Sequence, residues 1–204
     1  MKKEEKTGLT KERIINAAIQ EFGTNGYAAS TLNSICNVYG ISKGLLYHNF
    51  KGKDELYLIC VERCFLEVTA YLREQDIQND LKKYMELRFR YFTENQLYSR
   101  IFFEAVLQPP AELSGEIKQL KKEFDLLNRL IYRSALSGMT LRKGVTEADA
   151  LEYYEIIQEM FNGYFSSSAY SGKDFGVVIA DHEEKLAKIL DFMLFGIIER
   201  SEFK

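Results

Sequence analysis

One stretch of the sequence, residues 31–50, combines polar and basic side chains with a glycine placed where a tight turn could join two short helices. It reads TLNSICNVYGISKGLLYHNF, and Gly40 separates two short segments of helical periodicity. Glycine permits the backbone geometry that such a turn requires. Ile35, Leu46 and Phe50 recur at spacings that bury one side of the two segments. The other side of the second segment therefore faces outward, where it can contact a partner.

The outward side chains suit the groove of a DNA duplex. Ser42 and the free amides beside it can receive a phosphate, and Lys43 adds a positive charge there. Gly44 lets a backbone or base approach closely, whereas Tyr47 and His48 can donate hydrogen bonds to phosphates or base edges. Leu45 can touch a thymine methyl group. We therefore predict DNA contacts from Thr31, Ser42, Lys43, Gly44, Leu45, Tyr47, His48 and Lys53.

The distribution of charge agrees with a polyanion bound at one end of the protein. Residues 1–53 contain eight basic and four acidic residues, a net charge of +4, whereas residues 54–204 carry a net charge of −7. The whole chain has a net charge of −3, which argues against indiscriminate nucleic-acid binding. We predict two domains, residues 1–53 for DNA binding and residues 54–204 for ligand binding and dimerisation.

The periodicity of the remaining chain is helical, and no alternating strand pattern is present. The first helix is expected to start after Thr10 and to end at Gly23 and Gly26, behind a frayed arm of residues 1–9. Further helices are expected near 54–72, 80–94, 97–107, 113–137 and after a capping box at Thr146. We thus predict an all-α fold of about nine helices.

Residues 10–57 resemble the DNA-binding domain of the tetracycline-repressor (TetR) family. The resemblance covers about a quarter of the chain and lies in the order and spacing of its motifs, which are Ile14-Ile15-Asn-Ala-Ala18, Glu21-Phe22, Gly26-Tyr27, Ser30-Thr31, Ile35-Cys36, Gly40-Ile41-Ser42-Lys43-Gly44, Leu46-Tyr47, Phe50-Lys51 and Lys53-Asp54-Glu55-Leu56. Cys36 stands where the family usually has alanine. The order His48, Asn49 also departs from the family pattern and leaves open which of the two contacts DNA.

The resemblance implies more than the residues alone. Members of this family are usually homodimers that bind palindromic double-stranded operators, and a small molecule releases them from DNA. Half-sites about one helical turn apart, ~34–36 Å, match such a dimer. The resemblance therefore implies a ligand-responsive regulator, most simply a repressor, although an activator remains an alternative.

Two sets of apolar residues in the second domain are candidate surfaces. A cavity for a mostly apolar effector is predicted from Phe89, Phe92, Phe102, Phe103, Tyr132, Phe161 and Tyr164, with Arg88 or Glu104 as a polar anchor. A dimer interface is predicted from Tyr154, Ile157, Phe161, Phe165, Leu186, Leu190, Met193, Leu194 and Ile197. An internal core is the alternative for both sets.

Other functional classes find little support in the sequence. The three cysteines, Cys36, Cys60 and Cys64, are predicted to be buried reduced thiols, so we expect no metal and no cofactor. The N-terminus lacks the apolar segment of a signal peptide and no stretch is long enough to span a membrane, which predicts a cytoplasmic protein. The sequence shows no nucleophile–base spacing that would support an enzyme. A helix-turn-helix module that binds protein is the remaining alternative.

Overall fold

The computed structural model of this 204-residue chain describes residues 3–170 and 172–197, with side chains for all of these except 3–7 and 195–197. Within that part the secondary structure is helical and contains no β-strand, which confirms the predicted fold class. Two short 3-10 helices supplement the α-helices. The α-helices are α1 (Lys3–Ala29), α2 (Leu32–Tyr39), α3 (Lys43–Asn49), α4 (Lys53–Arg73), α5 (Leu81–Glu94), α6 (Gln96–Leu107), α7 (Ser114–Leu120), α8 (Lys122–Ser137), α9 (Glu147–Phe165) and α10 (Phe175–Ile197).

Helix α1 starts earlier than predicted, and its helical geometry is interrupted at Gly26, one of the two glycines predicted to end it. It starts at Lys3 rather than after Thr10, because the Lys and Glu residues that precede Thr10 are good helix formers. It also continues past Gly23 to Ala29, with a break at Gly26, whose φ of 79° is not helical. Gly23 instead marks a close approach, since a Cβ there would lie 2.7 Å from the Cβ of Leu97 in α6.

The helix expected at 113–137 is divided. A 3-10 turn, Ala111–Leu113, follows the two prolines, and α7 ends before Lys121, so that α8 starts at Lys122. By contrast, the capping box predicted at Thr146 is present. Thr146 Oγ1 accepts the N–H of Asp149 at 3.1 Å and the Asp149 carboxylate accepts the N–H of Thr146 at 2.8 Å. Such a cap contributes about 1 kcal/mol and fixes the start of α9.

The chain folds into two compact units. The first contains the residues up to Glu67 together with Glu94–Lys122, and the second contains Val68–Thr93 and the residues from Glu123 onward. These units follow from packing, whereas the division between residues 53 and 54 is a functional one and stays a prediction.

Each unit has its own core. In the first unit α1 packs along α6 and against α2, and Ile14, Phe22 and Leu46 are fully buried. In the second unit the rings of Tyr132 and Tyr154 stack with their centroids 4.2 Å apart. The structure thus supports the short helices α2 and α3 on a packed scaffold, because they contribute Ile35 and Leu46 to the core of the first unit.

Candidate nucleic-acid interface

The start of α2 is fixed by a hydrogen-bonded cap at Thr31. Thr31 Oγ1 accepts the N–H of Ser34 at 2.9 Å, and Ser34 Oγ accepts the N–H of Thr31 at 3.0 Å. The Ser34 hydroxyl also lies 2.7 Å from Oε1 of Glu21, a buried carboxylate of α1. Because the cap joins α2 to α1, Thr31 occupies an exposed and well-defined position at the head of α2.

The turn between α2 and α3 depends on Gly40. Its backbone is left-handed, with φ 62° and ψ 38°, a conformation that costs any residue with a Cβ about 1 kcal/mol or more. Arg13 of α1 braces the same turn, because its Nη2 donates to the carbonyl oxygens of Tyr39 at 3.3 Å and Gly40 at 3.2 Å. The sequence pattern predicted the role of Gly40 but gave no signal for Arg13, whose partners lie 26 and 27 residues away.

Helix α3 begins at a serine cap. Ser42 Oγ accepts the N–H of Leu45 at 3.2 Å, so its oxygen is used within the helix while its hydroxyl hydrogen can still be donated. At the other end of α3, the side-chain amide of Asn49 donates to the carbonyl oxygen of Leu45 at 2.7 Å. Asn49 is therefore half-buried and already bonded, whereas His48 is exposed. This geometry favours His48 over Asn49 as the side chain that can reach a partner.

The two faces of α3 differ as the sequence predicts. Leu46, together with Phe50 just past its end, is buried. The opposite face carries exposed polar, basic and small residues, with Leu45 half-buried at its border and Tyr47 58% exposed. The exposed members of this face, which we call the α3 outer face, are Ser42, Lys43, Gly44, Tyr47 and His48.

Lys53 lies at the start of α4 and is held by an aromatic ring. Its Nζ is 4.0 Å from the ring centroid of Tyr27, a cation–π contact, while the Tyr27 hydroxyl donates to Oδ1 of Asp54 at 2.7 Å. The N–H of Tyr27 lies 3.0 Å from both carboxylate oxygens of Glu104. Burial raises the pKa of Glu104 more than these contacts lower it. Glu104 therefore stabilises the chain just after the break in α1 by accepting the Tyr27 N–H, whereas its predicted role as a polar anchor for an effector stays a prediction.

The aromatic residues predicted to line an effector pocket are divided between the two units. Phe102 and Phe103 belong to the core of the first unit, where their ring centroids are 5.1 Å apart. Phe89 and Tyr164 are exposed by 55% and 50%. The remaining members of the set, which are buried in the second unit, are Phe92, Tyr132 and Phe161. Spacing along a helix identified these residues as apolar but could not assign them to a common wall.

The residues predicted for a dimer interface mostly face the inside of the second unit. Ile157 and Leu194 are half-buried, and the side chain of Ile197 lies outside the described residues. The buried members are Tyr154, Phe161, Phe165, Leu186, Leu190 and Met193. A different stripe of α9, at spacings of three and four residues, is exposed by 43% to 70%. We call it the α9 outer stripe, and it consists of Tyr153, Ile156, Met160 and Tyr164.

The cysteines are buried thiols in the first unit. Burial raises the pKa of Cys60 to about 12 and also raises the pKa of Cys64 well above its usual value. In the described residues, no group of three or more His, Cys, Asp or Glu side chains could hold a metal ion. None of the helices in that part of the chain is both long and apolar enough to cross a bilayer.

Known proteins match the segment of the chain that contains α2 and α3. The profile of the bacterial regulatory proteins of the tetR family matches residues 14–59, a segment that includes α2 and α3. The negative transcriptional regulator IcaR of the biofilm operon icaADBC in Staphylococcus epidermidis is 30% identical over 117 residues, which are 56% of this chain and 63% of that protein. A second relative, an uncharacterised regulator of Bacillus subtilis, is covered over 45% of its length. The chain thus matches less than two thirds of each of these relatives.

Solved structures share the fold over nearly the whole chain. A TetR-family transcription regulator of Shewanella sp. PV-4 has a TM-score of 0.58 at 16% identity, and the match covers 94% of this chain and 99% of that one. The regulator FadR of Bacillus subtilis in complex with stearoyl-CoA has a TM-score of 0.57 at 16% identity, over 87% and 97% of the two chains. At these identities the likeness concerns the fold alone.

Proposed function

Because the chain belongs to the TetR family of transcriptional regulators, we propose that it binds a palindromic operator as a homodimer and represses transcription until a small, mostly apolar effector releases it. The family consists of non-enzymatic DNA-binding proteins, so the enzyme alternative is set aside. The single observation that carries the proposal is the α3 outer face, which is exposed and offers small, basic and hydrogen-bonding groups. Had that face been buried, the helix could not enter a groove.

Each member of the α3 outer face has a role in the proposed complex. Lys43 neutralises phosphate charge, and Ser42 donates its hydroxyl hydrogen to a phosphate oxygen. Tyr47 and His48 reach base edges or phosphates, while Gly44 keeps the centre of the face flat. Thr31 and Lys53 contact the DNA phosphate backbone on either side of the groove that holds α3. Leu45 is the candidate for contact with a thymine methyl group.

Repression and ligand response are inferred from relatives. The relative from Staphylococcus epidermidis is described as a negative transcriptional regulator, and FadR was solved with stearoyl-CoA. We extend both properties to this chain as part of the proposal. A cytoplasmic location, where the protein would have access to DNA, is part of the same proposal.

The homodimer is proposed to form through the α9 outer stripe rather than through the residues first predicted. Tyr153, Ile156 and Met160 form a contiguous apolar face that the single chain leaves in contact with solvent. Apolar faces of this kind mark protein contacts more often than isolated exposed residues do. Because the same face occurs on both copies, it can pair with itself around a two-fold axis.

The substitution Gly44→Glu tests the DNA-binding proposal. No heavy atom lies within 4 Å of the position of a Cβ at Gly44, so the free protein accommodates a side chain there. In the complex, a carboxylate about 8 Å from a phosphate is repelled by roughly 2 kcal/mol at an effective dielectric constant of about 20. Because the proposed dimer has two DNA-binding domains, the penalty doubles to about 4 kcal/mol, which weakens DNA binding about a thousandfold.

Gly115→Glu is the matched control, because Gly115 is an exposed helical glycine of the same unit with equally open surroundings. Both variants add one negative charge. Gel shift at several salt concentrations, with DNA from upstream of the chain's own gene, should show loss of binding for Gly44→Glu only. Equal affinity of the two variants would show that α3 is not the reading helix. Circular dichroism of each variant checks that the fold is retained.

A further inference from the structure

A cleft of about 740 Å³ lies within the second unit. The segment Asp76–Asp80, the first turns of α5, Met139 and the second half of α10 form its walls. Its volume falls within the range of about 300 to 1,000 Å³ that is typical of small-molecule sites. The apolar part of the wall is aliphatic, and it consists of Ile77, Leu81, Met85, Met139, Ala187, Leu190 and Leu194. The cleft can therefore hold the apolar body of a ligand.

The two lysines at the cleft are engaged within the chain. The Nζ of Lys83 donates to the carbonyl oxygen of Asp76. The Nζ of Lys82 lies 3.9 Å from Oε1 of Glu86, one helical turn further along α5. Each lysine thus has one acceptor within the chain, and both keep a positive charge that counts toward the net charge of the cleft.

The three aspartates at the cleft differ in this respect. Asp80 Oδ1 accepts the N–H of Lys83 at 2.9 Å and caps α5, and Asp76 Oδ2 accepts the side-chain amide of Gln78 at 3.2 Å. Asp191 lies between Leu190 and Leu194 on α10 and is exposed. Within the described part of the chain its carboxylate forms no ion pair or hydrogen bond. The cleft therefore has the carboxylate of Asp191, which has no ion-pair partner among the described residues, beside an aliphatic wall.

We propose that this cleft binds a lipophilic organic cation, whose apolar body packs against the aliphatic wall and whose positive charge faces Asp191. Three aspartates and two lysines line the cleft, so their net charge is −1. A negative net charge favours a cation over an anion of the same shape. The inference rests on the proposed function, because it identifies the chemical class of the effector that the regulator senses.

Two ions of the same shape and opposite charge, tetraphenylphosphonium and tetraphenylborate, test the inference by isothermal titration calorimetry of the full chain. Tetraphenylphosphonium should bind to the wild type. Asp191→Asn should weaken this binding about fivefold at low ionic strength, the upper range for an exposed ion pair, without weakening the binding of tetraphenylborate. Glu152→Gln, which removes an exposed carboxylate of α9 away from the cleft, should change neither affinity.

A second variant tests the location. Ala187→Phe places a bulky ring at the wall of the cleft and should abolish tetraphenylphosphonium binding. An unchanged ratio of the two affinities in Asp191→Asn would overturn the assignment to a cation. Undiminished binding to Ala187→Phe would overturn the assignment to this cleft.

Gel shift with the same protein separates this inference from the proposed function. Release of DNA by tetraphenylphosphonium supports both. Binding that is sensitive to Asp191→Asn but leaves DNA affinity unchanged supports the cleft and contradicts its role as the effector site of the regulator. Specific DNA binding without any tetraphenylphosphonium binding overturns the ligand class and leaves the DNA-binding proposal intact.

Discussion

A buried ion pair between Arg88 and Glu183 offers a sharp test of how the second unit is held together. The guanidinium Nε and Nη2 donate to the two carboxylate oxygens at 3.1 and 2.7 Å, and the side chains of Arg88 and Glu183 are 4% and 2% exposed. Arg88 Nη1 also donates to the hydroxyl of Tyr84 at 3.3 Å, and Nδ1 of His182 lies 3.1 Å from Glu183. Substitution of Glu183 by Gln removes the negative charge and leaves the buried guanidinium without its counter-ion.

The structure gives the size of the effect in two ways. Burial alone would raise the pKa of Glu183, but attraction by Arg88 and hydrogen bonds from His182 and Arg88 lower it from 4.5 to about 2. That shift corresponds to roughly 3 kcal/mol of stability at neutral pH. Loss of one partner of a buried ion pair costs about 3–5 kcal/mol, because an uncompensated charge remains. We expect Glu183→Gln to reduce the free energy of unfolding of the second unit by about 3–5 kcal/mol.

Hydrogen exchange measured by mass spectrometry assigns the loss to a unit. Amides of α5 and α10 should exchange faster in Glu183→Gln, and amides of α2 and α3 should not. Glu184→Gln is the control, because Glu184 pairs with Lys188 on the solvent-exposed side of the same helix. Arg88→Met added to Glu183→Gln should restore much of the protection, since a pair replaced by apolar or neutral groups is tolerated better than a broken one.

The pH dependence has a defined sign. Because the folded-state pKa of Glu183 is depressed, its contribution is complete above the unfolded value of about 4.5 and disappears as the pH falls toward about 2. The wild type should therefore lose stability over this window more steeply than Glu183→Gln. If Glu183→Gln were as stable as Glu184→Gln at pH 7, or showed the acid dependence of the wild type, the reasoning would be refuted.

Two further predictions concern association and thiol reactivity. Met160→Glu should shift the protein from dimer toward monomer in analytical ultracentrifugation, because it puts a charge in the α9 outer stripe, where Met160 is 70% exposed. An unchanged dimer would place the interface elsewhere. Cys60 and Cys64 should resist a thiol reagent at pH 8 in the native protein and react in denaturant, because burial raises their pKa values. Rapid native labelling of both would show that this core opens readily.

Helices α2 and α3 were predictable because their signals are local. Gly40, Ser42 and Leu46 act through neighbours within a few residues, as a left-handed turn, a helix cap and a buried position. The spacing of these residues determines which side of α3 faces outward, without knowledge of the rest of the chain. Thr146 and its capping box were predictable for the same reason.

Contacts between distant residues were not predictable in this way. Arg88 and Glu183 are separated by 95 residues, and neither sits in a motif that indicates its partner. Gly23 looked like the end of a helix, but its lack of a side chain instead lets α1 approach Leu97 of α6. Glycine disfavours a helix only weakly, by about 1 kcal/mol, so tertiary packing determined the outcome.

Helix α9 shows why the dimer surface in particular could not be derived from periodicity. The residues Tyr154, Phe161 and Phe165 repeat at helical spacing, and so do Tyr153, Ile156 and Met160. A helix that is apolar on two sides has one face for its own core and another for a partner, but the sequence pattern does not label them. Burial in the folded chain does, since the first set is covered and the second is exposed. Self-association through α9 can therefore use the second set without opening the core of the unit.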